Sequence, residues 1–131
     1  MTIGQRIKKI RNFRGMTQKQ LGMLLGFGDN GDVRIAQYES DARTPKSSVR
    51  LRIAEILGVS PNALSASIST NRRDFMQSIF WMEDLKGGGD IYDCIKEWEI
   101  MKSKYESGKL SEKEYFEWKL TYDSPSSELS E

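Results

Sequence analysis

The stretch that decides the fold reads Met16-Thr17-Gln18-Lys19-Gln20-Leu21-Gly22-Met23-Leu24-Leu25-Gly26, followed after eight residues by Ile35-Ala36-Gln37-Tyr38-Glu39. Thr17 with Gln20 three residues on has the form of a capping box, in which the hydroxyl and the amide each satisfy a free backbone N–H at a helix start. Leu21, Leu24 and Leu25 fall on one face of the short helix it opens, and Gly26 supplies the stop. Gly28-Asp29-Asn30-Gly31 is turn chemistry. Asp32 is then read as the N-cap of a second helix running to about Ser40. At about 100° per residue, Ile35 and Tyr38 lie on one side of that helix and face a core. Val33 and Gln37 lie nearly opposite, flanked by Arg34 and Ala36. An outward valine on a short polar helix needs something to cover it.

Working outward, helix signals continue in both directions. Ile3, Ile7, Ile10 and Phe13 form an apolar stripe surrounded by Arg6, Lys8, Lys9, Arg11 and Arg14, with Gly15 as a stop. Thr44-Pro45 reads as an N-cap followed by proline at the first helical position. Val49, Ile53, Ile56 and Leu57 line that helix, Gly58 ends it, and Ser60-Pro61 starts a short last one containing Ala63 and Leu64. Ser65 to Asn71 is a Ser/Thr-rich link. Beyond it Phe75, Ile79, Met82 and Leu85 form a stripe, while Met76, Phe80 and Trp81 lie off it, a pattern expected of a helix packed against more than one neighbour. Gly87-Gly88-Gly89 breaks that helix and Asp90 caps the next, which carries Ile91, Ile95, Trp98, Met101 and Tyr105 at helical spacing. Gly108 ends it. Ser111 and Glu114 form another capping box before Tyr115, Phe116, Trp118 and Leu120. The tail from Asp123, with its Ser-Pro-Ser-Ser run, is expected to be disordered.

The 131 residues are 37% hydrophobic and 30% charged, which suits one or two small globular units. There is no histidine, so His-based catalysis and His-containing metal sites are excluded. The lone Cys94 makes no internal disulfide and fits a reducing compartment. No segment has the length and apolarity of a membrane span or a signal core. These features point to a soluble, cytoplasmic protein with no cofactor and no metal, and not to an enzyme. The net charge of +1 conceals an asymmetry: residues 1–65 carry +6 and residues 66–131 carry −5. A basic half is a candidate for a polyanion, most often nucleic acid.

Five short helices with a tight second-and-third pair, in a basic half-chain, have the layout of a helix-turn-helix domain. Residues 16–26 resemble the second helix of the phage repressor/Cro-type (XRE) helix-turn-helix family. Ile35 to Glu39 with Arg43-Thr44-Pro45 resemble its recognition helix and following loop, and Ile53-Ala54-Glu55-Ile56-Leu57-Gly58-Val59-Ser60-Pro61 its fourth helix and the start of the fifth. The resemblance covers the first half of the chain. It implies an all-α fold with a five-helix lambda-repressor-like domain at 1–66; the helix signals beyond it add a small helical region for dimerisation or partner binding at 70–122 and a tail at 123–131. The resemblance also implies a dimeric transcriptional regulator, expected to be a repressor of the phage or mobile-element type, that binds double-stranded DNA. Asp32, Val33, Arg34 and Gln37 would then meet base edges, and Gln18, Lys19, Arg43 and Lys46 would meet phosphates. Glu39 would tie the recognition helix to its surroundings through a buried or half-buried ion pair. Two departures stand out. The turn is about three residues longer than usual, leaving the register of the recognition helix open, and Ser40-Asp41 stand where the family usually has glycine.

Plainer readings sit beside these. Arg6, Lys8, Lys9 and Arg11 suit a solvated helix face. Cys94 suits a buried, inert thiol. The Gly87–Gly89 run lacks the strand before it and the Lys-Ser/Thr after it that a phosphate loop needs, and reads as a hinge. The aromatic-rich second half suits a homodimer interface, with Ile91 to Tyr105 as the partner-facing helix. One alternative is an antitoxin whose acidic C-terminal half binds a partner protein. A second is a protein-interaction module without DNA binding.

Overall fold

A computed structural model describes residues 1–64, 71–84 and 90–122, and every regular element among them is helical. The chain divides into two compact units, Met1–Ser67 and Ile68–Glu131. No helix among the described residues is long and apolar enough to cross a membrane.

The first unit holds α1 (Ile3–Phe13), α2 (Gln18–Leu24), α3 (Gly31–Glu39) and α4 (Ser47–Leu57), and the short last helix, containing Ala63 and Leu64, is a 3₁₀ helix at Pro61–Leu64. Ile7, Ile10, Leu21, Ile35, Ile53, Leu57 and Leu64 form its core, drawn from every element. Ile7 and Ile10 in α1, and Ile53 and Leu57 in α4, lie on the sides expected from 3.6-residue periodicity. The box at Thr17 is formed: the Gln20 N–H donates to Thr17 Oγ1 and the Thr17 N–H to Gln20 Oε1. Thr2 and Gln5 make the same arrangement at the start of α1. At the far end of α4, Gly58 is left-handed at φ 65°, and the Arg14 guanidinium donates to Leu57 O at 2.7 Å and Gly58 O at 3.2 Å. A cation from α1 thus closes the carbonyl end of α4, where the helix dipole favours it.

Several local expectations are corrected. Helix α3 begins at Gly31, after a 3₁₀ turn at Gly28–Asn30, so Asp32 is not an N-cap and lies inside the first turn. Its carboxylate there still complements the positive end of the helix. Helix α4 starts at Ser47 with Lys46 as its cap, and Pro45 is buried ahead of it instead of occupying its first position. Leu24 is 54% exposed and does not share the buried side of Leu21; the second buried position of α2 is Gly22. That position is taken because α2 crosses α3 at two glycines. A Cβ on Gly22 would come within 2.5–2.7 Å of the Gly31 backbone, and one on Gly31 within 2.8 Å of Gly22 Cα. Side chains keep helix axes apart, so their absence at the crossing sets how closely α3 can seat.

The second unit contains α5 (Arg72–Asp84), α6 (Asp90–Glu106) and α7 (Glu112–Thr121). Helices α6 and α7 are joined by a turn with Gly108 at φ 82° and Ser111 accepting from the Glu114 N–H. An aromatic ladder packs them: Tyr105 stacks on Tyr115 at 4.9 Å, Tyr115 on Trp118 at 6.1 Å, and Trp118 meets Tyr122 edge-on at 5.4 Å. Trp98 Nε1–H donates to the Tyr115 hydroxyl at 2.8 Å, satisfying both polar tips. The Tyr122 hydroxyl donates to Cys94 Sγ and to Glu97 Oε2. Cys94, expected to be a buried, inert thiol, is half-buried and accepts from the Tyr122 hydroxyl. Helix α5 has no buried residue, against the expectation that it packs on several neighbours. Leu85, the Gly87–Gly89 run, most of the Ser65–Asn71 link and the tail from Asp123 lie outside the described residues.

Candidate nucleic-acid interface

Helix α3 has a strongly two-sided environment. Ile35, Tyr38 and Glu39 are buried, while Val33 and Arg34 are exposed and Asp32, Ala36 and Gln37 are half-buried. Its inner side is fixed by a buried ion pair. Arg11 Nε lies 2.6 Å from Glu39 Oε1 and Nη2 lies 3.2 Å from Oε2, with the two residues 8% and 7% exposed. The remaining guanidinium arm donates to Met16 O at 2.8 Å, and Gln18 Nε2 donates to Glu39 Oε2 at 3.1 Å. One carboxylate at the end of α3 therefore gathers α1 and the first residue of α2, and every charge in the cluster has a partner. Arg11, read as part of a solvated face, is buried because it follows Ile7 by four residues and shares its side of α1.

The loop after α3 is tied back in the same way. Asp41, in the Ser40-Asp41 pair that follows Glu39, is left-handed at φ 63°, a conformation that favours glycine. Its side chain compensates: Oδ1 accepts from the Gly4 N–H at 3.1 Å and Oδ2 from the Thr2 hydroxyl at 2.6 Å, capping α1 from a distance. Aspartate tolerates this conformation better than most residues. The backbone N–H of Arg43 donates to Gln37 O at 3.1 Å, which holds the loop against the end of α3.

The sequence of residues 4–68 matches a family described as "Helix-turn-helix domain". The first unit belongs to this helix-turn-helix family, of the phage repressor/Cro (XRE) type. The "HTH-type transcriptional regulator ImmR" of Bacillus subtilis (strain 168) is 28% identical over 74 residues, a match covering 56% of this chain and 56% of that protein. The chain thus spans about half the length of the curated relative it matches. Comparison with solved structures gave no match.

Within the helix-turn-helix unit, the four base-reading candidates sit on the first two turns of α3. Val33 and Arg34 project into solvent, and Gln37 follows one turn later, its side chain half-buried. The structure brings Gln18 against the end of α3 through Glu39, so its amide is already engaged. Lys19 stands exposed in the first turn of α2, Arg43 in the loop and Lys46 at the cap of α4, on three separate elements. Phe27, which the sequence reading did not single out, is a further member. The Arg34 guanidinium lies 4.7 Å from its ring centroid, and the same ring meets Tyr38 at 6.3 Å. The lengthened turn thereby supplies a platform beneath an exposed arginine. A lone aromatic among turn residues was the available signal. Among the described residues no group of His, Cys, Asp or Glu could hold a metal ion.

Proposed function

We propose that the protein is a sequence-specific DNA-binding transcriptional regulator, a cytoplasmic repressor that binds its operator as a dimer with α3 in the major groove. The observation that carries this reading is the exposed row of Val33 and Arg34 on a helix whose opposite side is locked by Ile35, Tyr38 and the Arg11–Glu39 pair. A rigidly seated helix with a free outer side is what direct readout needs, since each bidentate base contact discriminates by about 1–3 kcal/mol only when its geometry is held. In this reading Val33 covers a thymine methyl, Gln37 reads adenine, Arg34 reads guanine from its seat on Phe27, and Asp32 accepts from a cytosine amino group. Lys19, Arg43, Lys46 and Gln18 position the unit on phosphates and carry little sequence information. Two copies are required because one short helix spans too few base pairs for a unique site. Occupying a promoter would block polymerase.

The test is selection of the full chain against random duplexes at two salt concentrations, followed by sequencing. An enriched palindrome supports a dimeric regulator, and its half-site spacing measures the separation of the two α3 helices. Binding without enrichment that collapses with salt would leave only the phosphate term. No binding at either salt would overturn the reading.

A further inference from the structure

Helix α5 carries charge in the order its own dipole disfavours. Arg72 and Arg73 stand at its N-terminus, where Asp74 offsets them only in part, and Glu83 and Asp84 stand at its C-terminus with no basic residue in the last turn. The N-terminus of a helix is positive and its C-terminus negative, so this order costs stability unless another group offsets it. Among the described residues none of these four side chains forms an ion pair. The helix also exposes Phe75 (52%), Trp81 (69%) and Met82 (47%), with Phe80 (49%) on the side away from them, and none of its residues is buried. Phe75, Ser78, Ile79 and Met82 form one continuous face with Trp81 on its border, and Ser78 returns its hydroxyl to Asp74 O, placing a small side chain at mid-helix. Arg72 and Glu83 lie eleven residues apart, about three turns, and so flank this face on the same side.

We infer that α5 is a self-association surface, on which α5 of a second copy of this chain docks antiparallel across a two-fold axis near Ser78. In an antiparallel pair the same flank of each helix meets, so Arg72 of each copy faces Glu83 of the other, and the two contacts are equivalent by symmetry. The helix dipoles oppose, and the termini that were unfavourable alone become complementary. With whole aromatic side chains at about 150–250 Å², the exposed parts of Phe75, Trp81 and Met82 amount to roughly 350 Å² per copy. Two copies with the stems of the flanking charges approach the ~1,000 Å² that a specific interface needs. This rests on the dimeric reading above and names the helix responsible, in place of the Ile91–Tyr105 helix favoured by periodicity.

The experiment is sedimentation of the full chain over a dilution series, with binding to a DNA half-site measured separately. Because α5 buries nothing, Arg72→Glu and Glu83→Arg should leave far-UV circular dichroism unchanged. Each single reversal sets like charges together twice and should weaken self-association about tenfold, on surface-pair energetics. The double variant, and an equimolar mixture of the two singles, should recover it. A dimer indifferent to all these changes overturns the α5 assignment and leaves the dimeric reading standing. A monomer throughout overturns both, while half-site binding reports independently on DNA recognition.

Discussion

Replacing Arg11 by Met should be far more damaging than replacing both Arg11 and Glu39. In the native unit the Glu39 carboxylate receives the Arg11 guanidinium at 2.6 and 3.2 Å and the Gln18 amide at 3.1 Å, in surroundings that leave it 7% exposed. Arg11→Met strips this charge of its counterion and leaves Met16 O without its donor. Breaking one side of a buried pair costs about 3–5 kcal/mol. A unit of this size holds about 3–10 kcal/mol in total, at 0.05–0.15 per residue, so the single variant should be largely unfolded. The pair Arg11→Met with Glu39→Leu removes both charges and keeps the volume. Its remaining cost is the unpartnered Gln18 amide and Met16 carbonyl, about 1–2 kcal/mol. The three tryptophans all lie in the second unit, so tryptophan fluorescence would report on the wrong half. Urea unfolding should instead be followed by the methyl NMR signals of Ile7, Ile10, Ile35 and Ile53. A coupling energy of at least ~2 kcal/mol is expected from the cycle. A single variant costing under ~1 kcal/mol, or a double costing the sum of the singles, would refute the claim that this pair seats α3.

Other expectations follow from the same structure. Gly22→Ala should lower the melting temperature of the first unit, because its Cβ meets the Gly31 backbone and overpacking costs about 1–3 kcal/mol; an unchanged melt would contradict the close crossing. Phe27→Ala should weaken binding only to sites carrying the guanine read by Arg34, by about three- to tenfold, with Arg34→Ala abolishing the difference; equal loss on all sequences would remove the platform role. Lys46→Ala should reduce the magnitude of the log-affinity against log-salt slope by about 0.9 per copy, read by fluorescence anisotropy; an unchanged slope would exclude a phosphate contact there. The Tyr122 hydroxyl is held well above the usual tyrosine range by its hydrogen bond to Cys94, by burial and by the neighbouring Glu97 charge. A raised folded-state value contributes stability that is complete below the unfolded value of about 10 and is lost as pH rises beyond it. Near-UV circular dichroism of the α6–α7 pair should therefore decay above that pH, and Tyr122→Phe should remove the loss; an identical alkaline profile in the variant would contradict it.

What was legible in the sequence was what local chemistry determines. The capping box at Thr17–Gln20, the apolar period through Ile7, Leu21, Ile35 and Ile53, and the left-handed stop at Gly58 follow from nearest neighbours along a helix, and each is present. Residues whose roles depend on distant partners were not legible. Arg11 reads as one more surface cation until α3 brings Glu39 to it. Asp32 reads as a cap because the turn chemistry ends beside it, yet the 3₁₀ turn lets Gly31 begin the helix. Gly31 reads as turn chemistry and Gly22 as one more residue of a helix, and the purpose of both exists only at the α2–α3 crossing. Asp41 in place of glycine became intelligible once its carboxylate was seen on the first turn of α1. In the second unit, periodicity selected Ile91 to Tyr105 as the outward helix. Trp98 and Tyr105 of that face also touch Tyr115 of α7, a contact that spacing along one helix does not disclose, while α5 buries none of its residues.

The central claim is that the exposed row on α3 reads bases while cations on other elements hold the backbone. The most direct test is the ratio of affinities for a selected operator and an unrelated duplex at one fixed salt concentration, for the native chain and for Val33→Ala/Arg34→Ala/Gln37→Ala. This triple variant is expected to lose at least about thirtyfold of the preference, since two bidentate contacts at about 1–3 kcal/mol each are removed. Affinity for unrelated DNA is expected to fall by no more than the one charge of Arg34 accounts for. Retention of the preference, or an equal loss on both duplexes, would contradict it.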